Sequence, residues 1–134
     1  MEFSELVNAA VLAKRNAYAP YSGFKVGAAV LTSGGKVFTG VNIENASYGA
    51  ACCAERTAIY KAVAEGETGI KAIAVASDKD ELIYPCGICR QVISEFADDN
   101  TVIICSRNDG TYKVYKASEL LPNAFTRRVL ENGI

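Results

Sequence analysis

The chain has 134 residues, half of them hydrophobic, which suits one domain over 1–134 with about two-thirds of its unfolded surface buried and no need of staples. Fourteen basic against 15 acidic side chains leave a net charge of −1, which excludes a general electrostatic attraction to nucleic acid or anionic lipid. No apolar run approaches the roughly 20 residues of a membrane span and no leader is visible, so the expected compartment is the cytoplasm.

Residues 4–18 predict an amphipathic helix with Leu6, Ala9, Ala10, Ala13 and Ala17 on one face and Ser4 as its N-cap. Pro20-Tyr21-Ser22-Gly23 breaks it. Residues 25–32 predict a strand, Ser33-Gly34-Gly35-Lys36 a hairpin turn, and 37–43 its partner. After a loop, Cys53 to about Glu65 predicts a second helix with Ala54, Ala58, Ile59, Ala62 and Val63 as its apolar stripe; Gly66 stops it. Lys71–Ser77 is a short buried-type strand, and 87–97 a helix with Val92, Ile93 and Phe96 facing inward. Thr101–Cys105 is a buried strand, Asn108-Asp109-Gly110 a turn and 112–115 a last strand, with Ser118 capping a short helical turn before Pro122. Helices alternating with buried strands predict an α/β fold, a three-layer α/β/α sandwich around a five-stranded mixed sheet.

The chain has five cysteines and no histidine. An odd count without a leader disfavours disulfides and favours metal binding or reactive thiols. Without histidine, serine–histidine and cysteine–histidine catalysis are excluded, and any metal must sit on thiolates or carboxylates. Pro85-Cys86-Gly87-Ile88-Cys89 is a CxxC ahead of a helix. Alone it reads equally as a redox dithiol or as half of a metal site. Cys53 at a second helix start favours the metal: three thiols at two helix N-termini can share one ion, and zinc so held keeps a fourth position open for water. Cys52 could supply a fourth ligand, but on a helix start it points roughly 100° away from Cys53. Cys105 lies in a buried strand and reads as core.

Glu55, two residues past Cys53, reads alone as a first-turn acid favoured by the helix dipole. Beside the thiols it reads as a proton carrier between water and a substrate nitrogen, because zinc lowers the pKa of bound water to about 7. Arg56 reads either as a surface cation or as a guanidinium that withdraws charge from the thiolates. The second reading matters because zinc with three thiolates carries a net negative charge and so acidifies bound water poorly.

The pair CxE and PCxxC is the zinc-deaminase signature in its three-cysteine form. YSGFKVGAAV (21–30), TGVNIENASYG (39–49), CAERTA (53–58), PCGICRQVISEF (85–96) and ELLPNAF (119–125) together make the chain resemble the small homotetrameric cytidine deaminases over nearly its whole length. That resemblance implies a cytidine deaminase-like fold and hydrolytic deamination of cytidine and 2′-deoxycytidine in pyrimidine nucleoside salvage. It implies one zinc per chain on Cys53, Cys86 and Cys89, a hydroxide on that zinc as nucleophile, and Glu55 as proton shuttle. It implies that Phe24 and the backbone around Ala54 contact the base, that Asn42 and Glu44 bind the ribose hydroxyls, and that Phe125 closes a neighbouring subunit's site in a homotetramer. Period-two spacing at a strand end puts Asn42 and Glu44 on one face. Ile88, where the family usually has alanine, and the extra thiol of Cys52 are departures. Three rivals remain: a deaminase of a modified nucleoside such as blasticidin S, a polynucleotide deaminase, and a structural zinc module. The intact Asn42-Ile43-Glu44 run and Phe125 speak against the first. The lack of any basic run longer than two residues speaks against the second, which needs a basic strand channel. The third has no use for Glu55.

Overall fold

The structure is a computed structural model and describes residues 1–131. Helix α1 (Phe3–Ala13) is followed by a single 3-10 turn and by strands β1 (Val26–Thr32) and β2 (Val37–Val41). Next come α2 (Ala54–Ala64), β3 (Ile70–Ser77), α3 (Gly87–Phe96), β4 (Ala97–Ser106), β5 (Tyr112–Lys116) and two short helices, α4 (Ala117–Leu120) and α5 (Arg127–Glu131). The five strands form one sheet in the order β2-β1-β3-β4-β5, in which only β3 and β4 run parallel. Helix α1 packs on one face of the sheet, and α2 and α3 on the other. This is the predicted three-layer arrangement.

Alternation along the strands makes the two faces unlike. Toward α2 and α3 point Val30, Ile73, Val75 and Ile103. Toward α1 point Ala29, Ala72, Ala74 and Ala76, small side chains that let that helix come close. The approach is closest at Gly27, where an added Cβ would collide with the Ala10 carbonyl and the Lys14 backbone. Gly27→Ala is therefore expected to destabilise by more than about 3 kcal/mol, because the obstacle is backbone and cannot rotate aside. The urea midpoint measures this, and an unshifted midpoint would mean that α1 simply slides away. On the opposite face, Gly40 seats α2 against β2 in the same manner, its missing Cβ leaving room for Ala54 and Ala58.

Several boundaries differ from expectation. Helix α1 gives way to the 3-10 turn at Lys14 and takes Glu2 as its N-cap, with no side-chain cap bond; Ser4 lies within its first turn. Strand β2 ends at Val41, and Ile43 continues only as single bridges to Tyr18 and Cys52. Strand β4 begins at Ala97 rather than Thr101, but its early part folds on itself through Asp98 and Thr101, and regular pairing with β3 starts at Val102. Ser118 does not cap α4; Glu119 reaches back to the Lys116 N–H at 2.8 Å.

Candidate metal centre

Two helix starts on one face of the sheet build the site. Cys53 is the N-cap of α2 and Cys86 the N-cap of α3, and neither thiol is spent on capping its own helix. Cys89 follows in the first turn of α3 and is fully buried. The three sulfurs lie within 4.8 Å of one another. The Cys53 and Cys86 Sγ atoms are 3.7 Å apart. A tetrahedral zinc with sulfurs at about 2.3 Å requires a sulfur–sulfur separation of about 3.8 Å, so the donor set fits zinc in both chemistry and spacing. Cys52 stands outside the cluster; its backbone pairs with Ile43 in both directions at 2.9 Å. Cys105 is fully buried, and burial pushes its thiol up to about 12.

The charges around the thiols are unequal. Cys53 is brought down to about 5, first by its hydrogen bond with Cys89 and then by the Arg56 guanidinium and Cys86, against the cost of burial. Cys89 is raised, first by that shared hydrogen bond with Cys53 and then by burial. The cluster thus gives up one proton readily and resists losing the next, which an incoming cation must displace. Arg56 Nη2 donates to Cys53 Sγ at 3.4 Å, while its buried Nε has no partner among the described residues. Glu55 is 4% exposed, and desolvation raises its carboxyl to about 7. A carboxyl poised near neutrality beside a thiol cluster that can hold a metal can both accept and return a proton.

A cavity of 360 Å³ opens beside the cluster, lined by Asn42, Glu44, Cys52, Cys53, Arg56 and Ile88 among others. The two residues expected to bind sugar therefore share a wall with Cys53 and Arg56. The link is the backbone of Ile43, which pairs with Cys52 on one side and bridges Tyr18 on the other. Ile88 is 62% exposed at the cavity edge. Phe24 does not line this cavity; it is half-buried against the core, with Lys79 Nζ 5.7 Å from its ring centroid. Asn42 holds it in place, donating to the Phe24 carbonyl at 2.8 Å and accepting the Val26 N–H at 2.9 Å. Each of those side-chain atoms keeps one further hydrogen-bonding position. Ala54 has its side chain fully buried, and as the first residue of α2 its N–H has no partner within the helix. Phe125 lies elsewhere, 59% exposed, with its carbonyl held by Gln91 Nε2 at 2.7 Å.

Sequence reasoning passed over Arg90. Its Nε donates to the Pro85 carbonyl at 2.7 Å and its Nη1 to the Leu120 carbonyl at 2.9 Å, so it ties the thiol loop to the segment that leads to Phe125. Its place right after the CxxC was the available signal. A second groove, of 440 Å³, lies between the end of α3 and the C-terminal segment and contains no thiol.

Comparison with known proteins gives a consistent answer. Residues 1–105 match the family model described as the cytidine and deoxycytidylate deaminase zinc-binding region. A cytidine deaminase of Halalkalibacterium halodurans is 47% identical over 126 residues, which cover 94% of this chain and 96% of that protein. A probable cytidine deaminase of Dictyostelium discoideum is 48% identical over 130 residues, covering 96% of this chain and 87% of its own. The crystal structure of a cytidine deaminase from Burkholderia pseudomallei superposes with a TM-score of 0.88 at 47% identity, covering 93% of this chain and all of that one (100%).

Proposed function

The chain belongs to the cytidine and deoxycytidylate deaminase family, and we propose that it is a zinc-dependent hydrolase that converts cytidine and 2′-deoxycytidine, with water, to uridine or 2′-deoxyuridine and ammonia. The observation that carries this reading is the three-thiol cluster of Cys53, Cys86 and Cys89 beside the buried Glu55. Zinc held there by Cys53, Cys86 and Cys89 would supply a Lewis acid that lowers the pKa of water. Glu55 takes the proton of the attacking water. It passes that proton to the ring nitrogen, then carries the remaining proton of the hydroxyl added at carbon 4 to the amine, which leaves as ammonia while the carbonyl forms. Its carboxyl near 7 suits both transfers.

Asn42 and Glu44 bind the sugar, Phe24 and the Ala54 backbone the base. Arg56 draws charge from Cys53 through its 3.4 Å contact. Arg56→Gln is expected to keep the metal yet lose turnover on the order of tenfold, as for a hydrogen bond to a charged group. Metal content and kcat measured together decide this, and undiminished kcat would return Arg56 to a packing role.

A homotetramer, with Phe125 reaching a neighbouring site, is the assembly we assign. Exposed apolar side chains at Tyr48 (82%), Ile88 (62%), Phe125 (59%) and Tyr21 (57%) support it, being costly to leave in water. Among the described residues no helix is long and apolar enough to cross a membrane, and we place the protein in the cytoplasm as one domain over 1–134 working in nucleoside salvage. Residues 132–134 of that span lie outside the described residues. The direct test is the fall in ultraviolet absorbance of cytidine on adding purified protein, with free cytosine as the comparison and with a chelator as the control. Cytidine turnover that stops on chelation supports the reading, whereas equal turnover of cytosine would refute it.

A further inference from the structure

We propose that Ser22 is a positioning residue for the nucleoside: its hydroxyl locks the Glu44 carboxylate and the Phe24 backbone into one rigid unit, which fixes the spacing between the sugar-binding and base-binding groups. This rests on the function proposed above and concerns the same site.

Four hydrogen bonds carry it. Glu44 Oε1 accepts the backbone N–H groups of Tyr21 at 2.9 Å and Ser22 at 3.1 Å. Glu44 Oε2 accepts the Ser22 hydroxyl at 2.5 Å. That same Ser22 Oγ accepts the Phe24 N–H at 3.0 Å. The hydroxyl therefore donates toward the sugar side and accepts from the base side, using both of its capacities at once. Asn42 holds the other end of Phe24 by its carbonyl, so the aromatic residue is gripped at N–H and C=O alike.

Such a lock has a clear physical use. Fixing a glutamate on a partly exposed loop costs it rotamer freedom. If substrate had to fix it, binding would be weakened by that cost. Here the chain fixes it in advance. The two N–H groups and the hydroxyl also favour the ionised carboxylate, whose pKa is lowered, first by the Ser22 hydroxyl. The carboxylate offers about four acceptor positions and these three donors fill three, so one, on Oε2, stays open to a sugar hydroxyl. Gly23, at φ +68°, lets the chain turn sharply enough for Ser22 Oγ to meet the Phe24 N–H two residues on. A 380 Å³ cavity against Tyr21, Ser22 and Glu44 leaves the unit reachable from solvent.

The experiment is steady-state kinetics on cytidine for wild type, Ser22→Ala, Ser22→Thr, Glu44→Ala and the Ser22→Ala/Glu44→Ala double variant, each with its zinc content and melting temperature. Ser22→Ala is expected to lose kcat/KM on the order of tenfold while keeping zinc and melting temperature. Ser22→Thr, which keeps the hydroxyl, is expected to recover to within about threefold of wild type. In the Glu44→Ala background, Ser22→Ala should cost less than about twofold more, because its main partner has gone. That non-additivity and the threonine rescue are what a merely structural serine would not give. Unchanged kcat/KM in Ser22→Ala, or a full tenfold further loss in the double variant, overturns the inference and leaves the deaminase reading standing. A wild type without cytidine turnover overturns both.

Discussion

Glu55→Gln is expected to fold, to hold its zinc, and to turn over cytidine about 10²–10⁴-fold more slowly than wild type. Glutamine keeps the volume and one hydrogen-bonding oxygen, so the packing around a side chain only 4% exposed is preserved. What it cannot do is accept the proton of water and give it back. The loss should fall on kcat, because the proton transfers belong to the reaction's transition states rather than to substrate capture. The alternative reading makes Glu55 a first-turn acid that stabilises α2 through the helix dipole. Under that reading Glu55→Gln lowers the melting temperature slightly and leaves kcat alone. Metal content, melting temperature and kcat from one preparation separate the two, and full kcat would end the proton-shuttle assignment.

Cys53→Ala should lose both metal and activity. Removing one of three thiolates leaves the donor pair of Cys86 and Cys89, which come from one loop and one turn of α3. Altering residues that only support a ligand typically costs 10- to 100-fold in metal affinity, so deleting a ligand should cost more than about 100-fold. Cys52→Ala and Cys105→Ala should each retain one zinc. The Cys52 backbone, which pairs with Ile43, survives the change, and the Cys105 thiol is buried in the core. Metal analysis of the purified variants checks this. If Cys52→Ala empties the site while Cys53→Ala keeps it, the ligand assignment is wrong.

The thiol site was legible because the chain offers so few alternatives. With no histidine, three cysteines at two helix starts had one economical use, and local sequence suffices to say where helices start. The hairpin at Ser33–Lys36 and the stop at Gly66 were equally local. Lys14 shows where local reading fails. Nothing in the neighbouring sequence marks it for burial, yet at the end of α1 it is 9% exposed. Its ammonium donates to the Ser77 carbonyl at 3.1 Å and to Asn108 Oδ1 at 2.6 Å, and pairs with Asp78 at 3.1 Å. Those partners lie far along the chain, and only the sheet brings them to the helix end. The hydrogen bonds from Ser22 to Glu44 and from Asn42 to Phe24 were hidden for the same reason. Ser22 looked like a turn residue and Asn42 like a sugar ligand alone, until the fold put both on Phe24. Helix α5 was missed altogether, because its five residues carry too little periodicity to read.

The unlike faces of the sheet also decide which substitutions the lineage of this chain can accept. Beneath α1, where Ala29, Ala72, Ala74 and Ala76 meet the helix, there is little left to remove and no room to add. Enlargement there forces backbone apart at a cost of about 1–3 kcal/mol per site. Beneath α2 and α3, where Val30, Ile73, Val75 and Ile103 pack, the danger is reversed. Truncation to alanine leaves a void and costs about 2–5 kcal/mol for an isoleucine, whereas an exchange of similar volume costs under about 1.5 kcal/mol. A saturation scan read for survival should therefore show two opposite spectra on alternate residues of one strand. Along β3, Ala72, Ala74 and Ala76 should tolerate glycine or serine at best, while Ile73 should tolerate leucine or methionine. The helices that carry the thiols thus rest on the layer that can drift in shape, and α1 rests on the one that cannot.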